Sequence, residues 1–379
     1  MTSDVLVIGG GVIGLSIARE FHKKGLRKIA ILERGKIGKE SSYAAAGMLS
    51  PNVESEKIDN FYLFCSESNK LYPNFAAELF DETAVDIEYE CRGTLYLAFN
   101  QAEVSEIRRR FEWQKSAGFE VESLSAMETH KIEPFVSPNI LESMFYPNDG
   151  QVENRQLLNA LKKYCEINKI EFYENTEIEN LLIENGKIIG AATAYEKHFA
   201  EKVILTTGAW TSFVKAENFT MPKVKPIRGQ MISFQTAKRL FDKVIYSPRG
   251  YLVPRRDGRI LIGATVEDVG FDKKVTDTGT EFLRETAAEI APGLANLEIK
   301  ENWAGLRPVS TDGLPILGEF SGIKNFFIAT AHYRNGILLA PLTAKILTDK
   351  IVDKKESDYL KIYGLHRFQK ARVSDISSK

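Results

Sequence analysis

The sequence predicts an α/β protein: a Rossmann-like nucleotide-binding domain joined to a second domain built on a mainly antiparallel β-sheet. Three observations carry this. A strand, a glycine-rich turn, a helix and a second strand follow one another at the N-terminus. Two apolar runs around Arg256-Asp257-Gly258 carry a hairpin signal. Short apolar runs of buried-strand type return after helical segments, so the chain leaves the first domain and comes back to it.

Taken in order, Val5-Leu6-Val7-Ile8 is a continuous apolar run, as expected of a buried parallel strand. A helix follows from Ile13 to Lys24, with Ile13, Ile17 and Phe21 on one face and Gly25 as its stop. Lys28 to Leu32 is the second strand, which completes a βαβ unit. Val85 to Tyr89 and Gly93 to Phe99 read as strands with partial alternation, and Asn154 to Asn168 as a helix. Lys202 to Thr206 is another buried strand, and Tyr251 to Arg255 with Arg259 to Thr265 form the hairpin. The charged tail after Asp353 is expected to fray. At 379 residues two intertwined domains are the natural expectation. They divide as residues 1–86, 144–218 and 300–379 for the nucleotide domain and 87–143 and 219–299 for the other.

Composition narrows the class. With 44% hydrophobic and 27% charged residues and a net charge of −1, nothing points to nucleic acid or an anionic membrane as partner. Cys65, Cys91 and Cys165 lack metal-ligand or CxxC spacing, which fits a reduced cytoplasmic protein and no metal site. The first strand begins at Asp4, so no signal peptide is expected. His332, Arg334 and Lys345 interrupt the apolar stretch from Phe326 to Leu347, so no membrane span is expected there.

Gly9, Gly11 and Gly14 give GxGxxG spacing directly after the first strand. The first glycine permits the tight turn, the second lets backbone approach a pyrophosphate, and the third lets helix pack closely on sheet. The helix N-terminus then offers unpaired N–H groups to phosphate. Glu33 ends the second strand, placed to accept ribose hydroxyls. Together these predict a dinucleotide site and disfavour a 2′-phosphate, but do not separate FAD from NAD.

The segments that follow separate them by resemblance. Glu33-Arg34, then Gly38 through Leu49 with Ser41-Ser42 and Ala44-Ala45-Ala46-Gly47-Met48, resembles the flavin-approach segment of the D-amino-acid oxidase superfamily. Leu205 to Trp210 is similar to its strand-to-cofactor turn. Trp303-Ala304-Gly305-Leu306-Arg307-Pro308 with Asp312 to Gly318, and Ala331 to Pro341, resemble segments of the glycine oxidases of thiamine biosynthesis. The resemblance runs in order along nearly the whole chain.

It implies non-covalent FAD, since none of the three cysteines lies in the C-terminal part where some relatives tether flavin. Cofactor contacts are implied at Val12 and Ile13, Glu33 and Arg34, Ser41 and Ser42, and Ala46 to Met48. Further contacts are implied at Ile178, at the Gly208 turn and at His332, Tyr333, Arg334, Asn335, Gly336, Ile337 and Leu338. It implies oxidation of glycine or a similar small amine or amino acid (sarcosine, small D-amino acids) to the imine and 2-oxo acid. Oxygen is reduced to peroxide, and the family precedent is a homo-oligomer.

No protein residue is needed as acid or base, because flavin N5 takes the hydride from a neutral amine. Arg307 is implied on the substrate carboxylate, for which a planar guanidinium is the suited grip. Tyr251 matches a carboxylate-contacting tyrosine, and Arg334 an active-site arginine. His332 is expected to meet flavin through its backbone. The Arg334-Asn335-Gly336 turn should aim a helix N-terminus at the flavin N1–C2=O edge. Two positions depart from the glycine oxidase pattern: Arg249 where it has histidine, and Val266 where it has methionine. Both are expected to border the pocket and to shift substrate preference. An amino-acid dehydrogenase with another electron acceptor and a flavin subunit of a larger complex are the alternative readings.

Overall fold

The computed structural model describes residues 2–216 and 219–368. Strand β1 (Thr2–Ile8), helix α1 (Val12–Lys23) and strand β2 (Ile29–Glu33) form the βαβ unit at the expected place. Around β1 runs a parallel core of five strands in the order 326–330, 197–205, β1, β2, 171–174. The strand Ile316–Glu319 pairs antiparallel at one edge.

Alternation along β1 explains why its buried part, Val5 to Ile8, is continuously apolar. Val5 and Val7 pack into a core with α1 and the helices Asn60–Thr83, Asn154–Ile167 and Gly336–Thr348. Leu6 and Ile8 face the opposite side, where the strands 178–184 and 187–193 contribute. A strand covered on both faces needs no polar residue.

The second sheet is mainly antiparallel, in the order 299–310, 224–235, 259–263, 250–254, 244–247, 94–98, 142–146, 122–125. Its one parallel pairing joins 244–247 to 94–98. The hairpin forms between Gly250–Pro254 and Arg259–Gly263. A helix, Asp277–Ile290, packs its Leu283, Ala287 and Ile290 against this sheet.

Four expectations need correction. Residues 85–89 form no strand: Glu88 adopts φ 53°, which breaks the extended run, and Glu90 makes only an isolated bridge to Gln151. The strand Ile299–Ser310 pairs along its length with Val224–Gln235, so residues 300–310 belong to the second sheet. Likewise 142–146 pairs with 94–98, and a boundary at 144 cuts through a strand. The tail does not fray at Asp353. Buried Tyr363 packs with its ring tilted 5.3 Å from that of Phe64, its carbonyl accepts from Leu317 N–H, and Arg367 donates to the Pro315 carbonyl at 2.6 Å, which docks the chain well past Asp353. The residues beyond lie outside those described. Among the described residues no helix is long and apolar enough to cross a membrane, and no cluster of potential metal ligands occurs.

Candidate active site

A long cleft opens at the C-terminal ends of the parallel strands, enclosing about 1240 Å³ including the part open to solvent. Gly9, with φ 111°, turns the chain out of β1, and its carbonyl faces Gly14 so closely that a Cβ there would lie 2.0 Å away. Gly14 therefore does not line the cleft; it seats α1 against the turn, and this close seat aims the N-terminus of α1 into the cleft. Gly11 caps α1 without a side chain, no acid occupies the first turn, and Val12 N–H donates to Ser42 Oγ at 3.1 Å. Backbone N–H groups, a serine hydroxyl and the positive end of a helix are the donor set that phosphate oxygens take.

Glu33 sits beside this turn and is almost fully buried. One carboxylate oxygen accepts from Gly10 N–H and the other from Gly35 N–H, each at 2.9 Å. Thus fixed, the carboxylate keeps lone pairs directed at the cleft for ribose hydroxyls. Arg34 Cζ lies over the Trp210 ring, 3.8 Å from its centroid. Ile178 and Gly208 also line the cleft, as do His332, Tyr333, Gly336 and Ile337 farther along.

A smaller pocket of about 770 Å³ adjoins the cleft and shares Ser41, Tyr333 and Ile337 with it. Ala46, Gly47 and Met48 line this pocket, as do Arg334 and Asn335. Its chemistry follows from alternation along the strand 299–310, which brings Trp303, Gly305 and Arg307 to one face. Trp303 Nε1 donates to the Ala44 carbonyl at 3.0 Å. Gly305 makes room for Ala44, whose Cβ would be 2.5 Å from a side chain there. Ser41 Oγ donates to the Leu306 carbonyl. The small-residue loop is thereby fastened to the arginine-bearing strand.

Arg307 reaches into the pocket and donates to the carbonyls of Thr265 (3.1 Å) and Arg228 (3.4 Å). No carboxylate pairs with it among the described residues. Gly229, on the neighbouring strand, leaves the space it fills: a Cβ there would stand 2.3 Å from the guanidinium nitrogens. Tyr251 lies opposite Gly263, with its hydroxyl 4.0 Å from Met231 Sδ.

Arg334 differs from Arg307. Its guanidinium is 3.3 Å from Glu54 and donates to Tyr246 Oη at 3.0 Å, and the Glu54 charge pushes its pKa up. One pocket arginine is thus already compensated and the other is not. His332 is buried, bonded through Nε2 to Thr343 Oγ1 at 3.1 Å, and desolvation lowers its pKa to about 3. It is neutral at physiological pH and turned toward the helix rather than the pocket.

Three expected residues stand elsewhere. Arg249 ion-pairs with Glu285 (2.8 Å) and Glu289 (3.3 Å) on the helix 277–290 and lines neither cavity. Val266 is 59% exposed and also lines neither. Both flank the hairpin in sequence but lie outside its strands, Arg249 in the preceding turn and Val266 in the segment that follows, so the strand alternation that faces Tyr251 to the pocket does not reach them. Leu338 is fully buried in the core, where its carbonyl accepts from Ser68 Oγ at 2.6 Å. Conversely, Glu54, Gly229 and Trp210 escape the sequence reading as site residues. Only Trp210 had a signal, two positions after Gly208 in the strand-to-cofactor turn.

The cleft thus fits a dinucleotide, with donors for pyrophosphate, an acid for ribose and a second cavity at its far end. The profile of the FAD dependent oxidoreductase family matches residues 4–350. A glycine oxidase of Pseudomonas aeruginosa is 33% identical over 92% of this chain and 94% of its own length. The bifunctional protein ThiO/ThiG of Trichormus variabilis is 36% identical over 98% of this chain, which spans only 56% of that relative. Glycine oxidase from Bacillus cereus superposes with a TM-score of 0.88 at 34% identity, covering 95% of this chain and 98% of that structure.

Proposed function

The chain belongs to the FAD dependent oxidoreductase family, and from that premise we propose that it oxidises glycine or a similarly small amine or amino acid to the imine, which water then hydrolyses. Oxygen is the proposed acceptor, reduced to peroxide. The observation that carries the substrate reading is Arg307, a cation whose partners among the described residues are carbonyls, facing a small pocket beside the flavin-approach loop.

FAD would be held by the Gly9–Ile13 turn, Glu33, Ser41 and Ser42 toward its pyrophosphate and ribose. Ala46 to Met48 and the turn at Arg334 to Ile337 would hold its ring end. When bound, it supplies two-electron oxidation of the amine carbon. The protein's part is binding and orientation. Arg307 grips the substrate carboxylate, Tyr251 closes that side of the pocket, and the compensated Arg334 leaves a single strong anion site. The amine reacts in its neutral form, and no side chain of the chain takes its proton; neutral, inward-bonded His332 is unsuited to that role.

None of the three cysteines lines either cavity, which supports non-covalent FAD. We also propose a cytoplasmic homo-oligomer. The test is a purified chain: a flavin spectrum, then peroxide released from a panel of small amines in air. Colour without peroxide but with reduction of an artificial dye would replace the oxidase by a dehydrogenase. A colourless chain that FAD cannot reconstitute would remove both.

A further inference from the structure

The segment 266–274, between the hairpin strand Arg259–Gly263 and the helix Asp277–Ile290, comes from the second sheet yet lies against the mouth of the cofactor cleft. A single buried arginine fixes both of its ends. Arg228 N–H donates to the Glu267 carbonyl at 2.9 Å, and its guanidinium pairs with the Glu267 carboxylate at 2.5 Å. The same guanidinium donates to the Lys274 carbonyl at 3.0 Å and lies 3.4 Å from Asp272. Between those anchors Gly270, with φ 64°, turns the chain outward.

The turn delivers Phe271 onto the outer side of the cleft wall. Its ring centroid is 5.5 Å from that of Trp210 and 5.1 Å from that of Phe213. Both partners line the cleft, and Trp210 carries Arg34 on its other contact. Two residues on, Lys273 Nζ sits 3.0 Å from Glu40, whose other oxygen is 3.3 Å from Arg34. Arg34 and Glu40 are themselves lining residues. An aromatic brace and an ion-pair chain therefore tie the second sheet to one wall of the cleft. Val266 and Val269 remain exposed, so of the segment's apolar side chains it is Phe271 that reaches the cleft wall.

We propose that the 266–274 strap is a cofactor latch, in which Phe271 and Lys273 hold the Trp210–Arg34–Glu40 wall closed and so set the rate at which FAD leaves. This rests on FAD occupying the cleft. It assigns Phe271 and Lys273 as positioning residues that act through the wall they brace. Phe271 and Lys273 touch the cofactor-cleft wall and neither lines the substrate pocket, so their loss should be felt at the cofactor before it is felt at the substrate.

The experiment follows flavin fluorescence after dilution of holoenzyme, with turnover measured separately at saturating FAD. Phe271→Ala should speed release about two- to tenfold, the range an aromatic contact supplies. Lys273→Ala should speed it about two- to fivefold at low salt, as for an exposed pair. That second increment should vanish at about 0.5 M salt, where screening shortens to a few ångströms. kcat at saturating FAD should stay at the wild-type value in both. Phe135→Ala, an exposed aromatic in the turn after the helix 126–132, which lines neither cavity, is the control and should release FAD at the wild-type rate. Normally loaded variants whose release rates equal wild type would overturn the latch. If Phe271→Ala fails to fold, Lys273→Ala at its exposed pair decides alone. A wild-type chain that takes up no FAD would instead sink the cofactor reading, a separate and distinguishable failure.

Discussion

The cofactor cleft and the substrate pocket share three lining residues but are built on opposite plans. The pyrophosphate end of the cleft comes from one unit of chain, residues 8–42, joined by the turn at 206–208. Its recognition groups are backbone N–H donors and an acid at the end of a strand. The pocket is assembled from residues 41–54, 229–251 and 305–337, and its recognition groups are side chains whose positions depend on partners far away in sequence. Glu54 reaches Arg334 across 280 positions and Gly229 makes room for Arg307 across 78. A backbone site is specified by local spacing, whereas a side-chain site is specified by which strands become neighbours.

The largest test of this division is Arg307→Ala. It should lower kcat/KM for amino acids by about ten- to several-hundred-fold, since a charge-assisted pair contributes ~1.5–3 kcal/mol and a bidentate, desolvated one more. FAD content should stay at the wild-type level, and a simple amine without a carboxylate should lose far less. Arg307→Lys should recover only part, because a point charge cannot reproduce the fork. Equal losses for both substrates would erase the distinction between the two regions.

Next in size is pH. With His332 held neutral by burial, its pKa near 3, no group of the chain is assigned to deprotonate the amine. kcat/KM should then rise roughly tenfold per pH unit up to the substrate amine's own pKa. Two amines of different basicity should give two different pKa values; one shared value near neutrality would put a base back into the pocket. The same burial carries a stability consequence. Unfolded, the imidazole takes up a proton below about pH 6.5, while the folded one does so only near 3. The contribution of neutral His332 is therefore complete above about 6.5 and is lost as pH falls from there toward 3.

A smaller effect sharpens the comparison from the other side. Gly229→Ala places a Cβ against the guanidinium of Arg307, the flexible end of a long side chain, so the arginine moves and the fold does not. We expect a melting temperature near wild type and kcat/KM lowered about three- to thirtyfold, corresponding to ~0.7–2 kcal/mol of lost orientation. A drop in melting temperature with unchanged kinetics would mean that the strand yields instead. Smallest of all should be Arg249→His with Val266→Met. Because both residues point away from the pocket, the substrate ranking should stay within about twofold of wild type. A shift toward glycine would restore them to the pocket.

Much of this was legible before any coordinates. GxGxxG, Glu33 and the apolar runs specify β1, α1 and β2, because a buried parallel strand and a helix seated on glycine each demand a recognisable local composition, and here the two follow one another in order. Arg307 stood out through its place in Trp303-Ala304-Gly305-Leu306-Arg307-Pro308, and the strand 299–310 turns it to the face it shares with Trp303 and Gly305. Arg249 and Val266 failed because adjacency in sequence to Tyr251 and Thr265 says nothing of which way a side chain turns as its strand ends.

The sequence by itself determined the βαβ unit at the N-terminus and the donor set of the dinucleotide cleft, since each depends on contacts within a few residues. The tertiary structure alone decided that Arg334 is neutralised by Glu54, that Gly229 shapes the seat of Arg307, and that residues 266–274 brace the cleft. Those contacts form between segments far apart in sequence that the fold makes neighbours, whether as paired strands or across the two sheets. The physical reason is that charge compensation and excluded volume act through space over a few ångströms, and linear spacing carries no record of them.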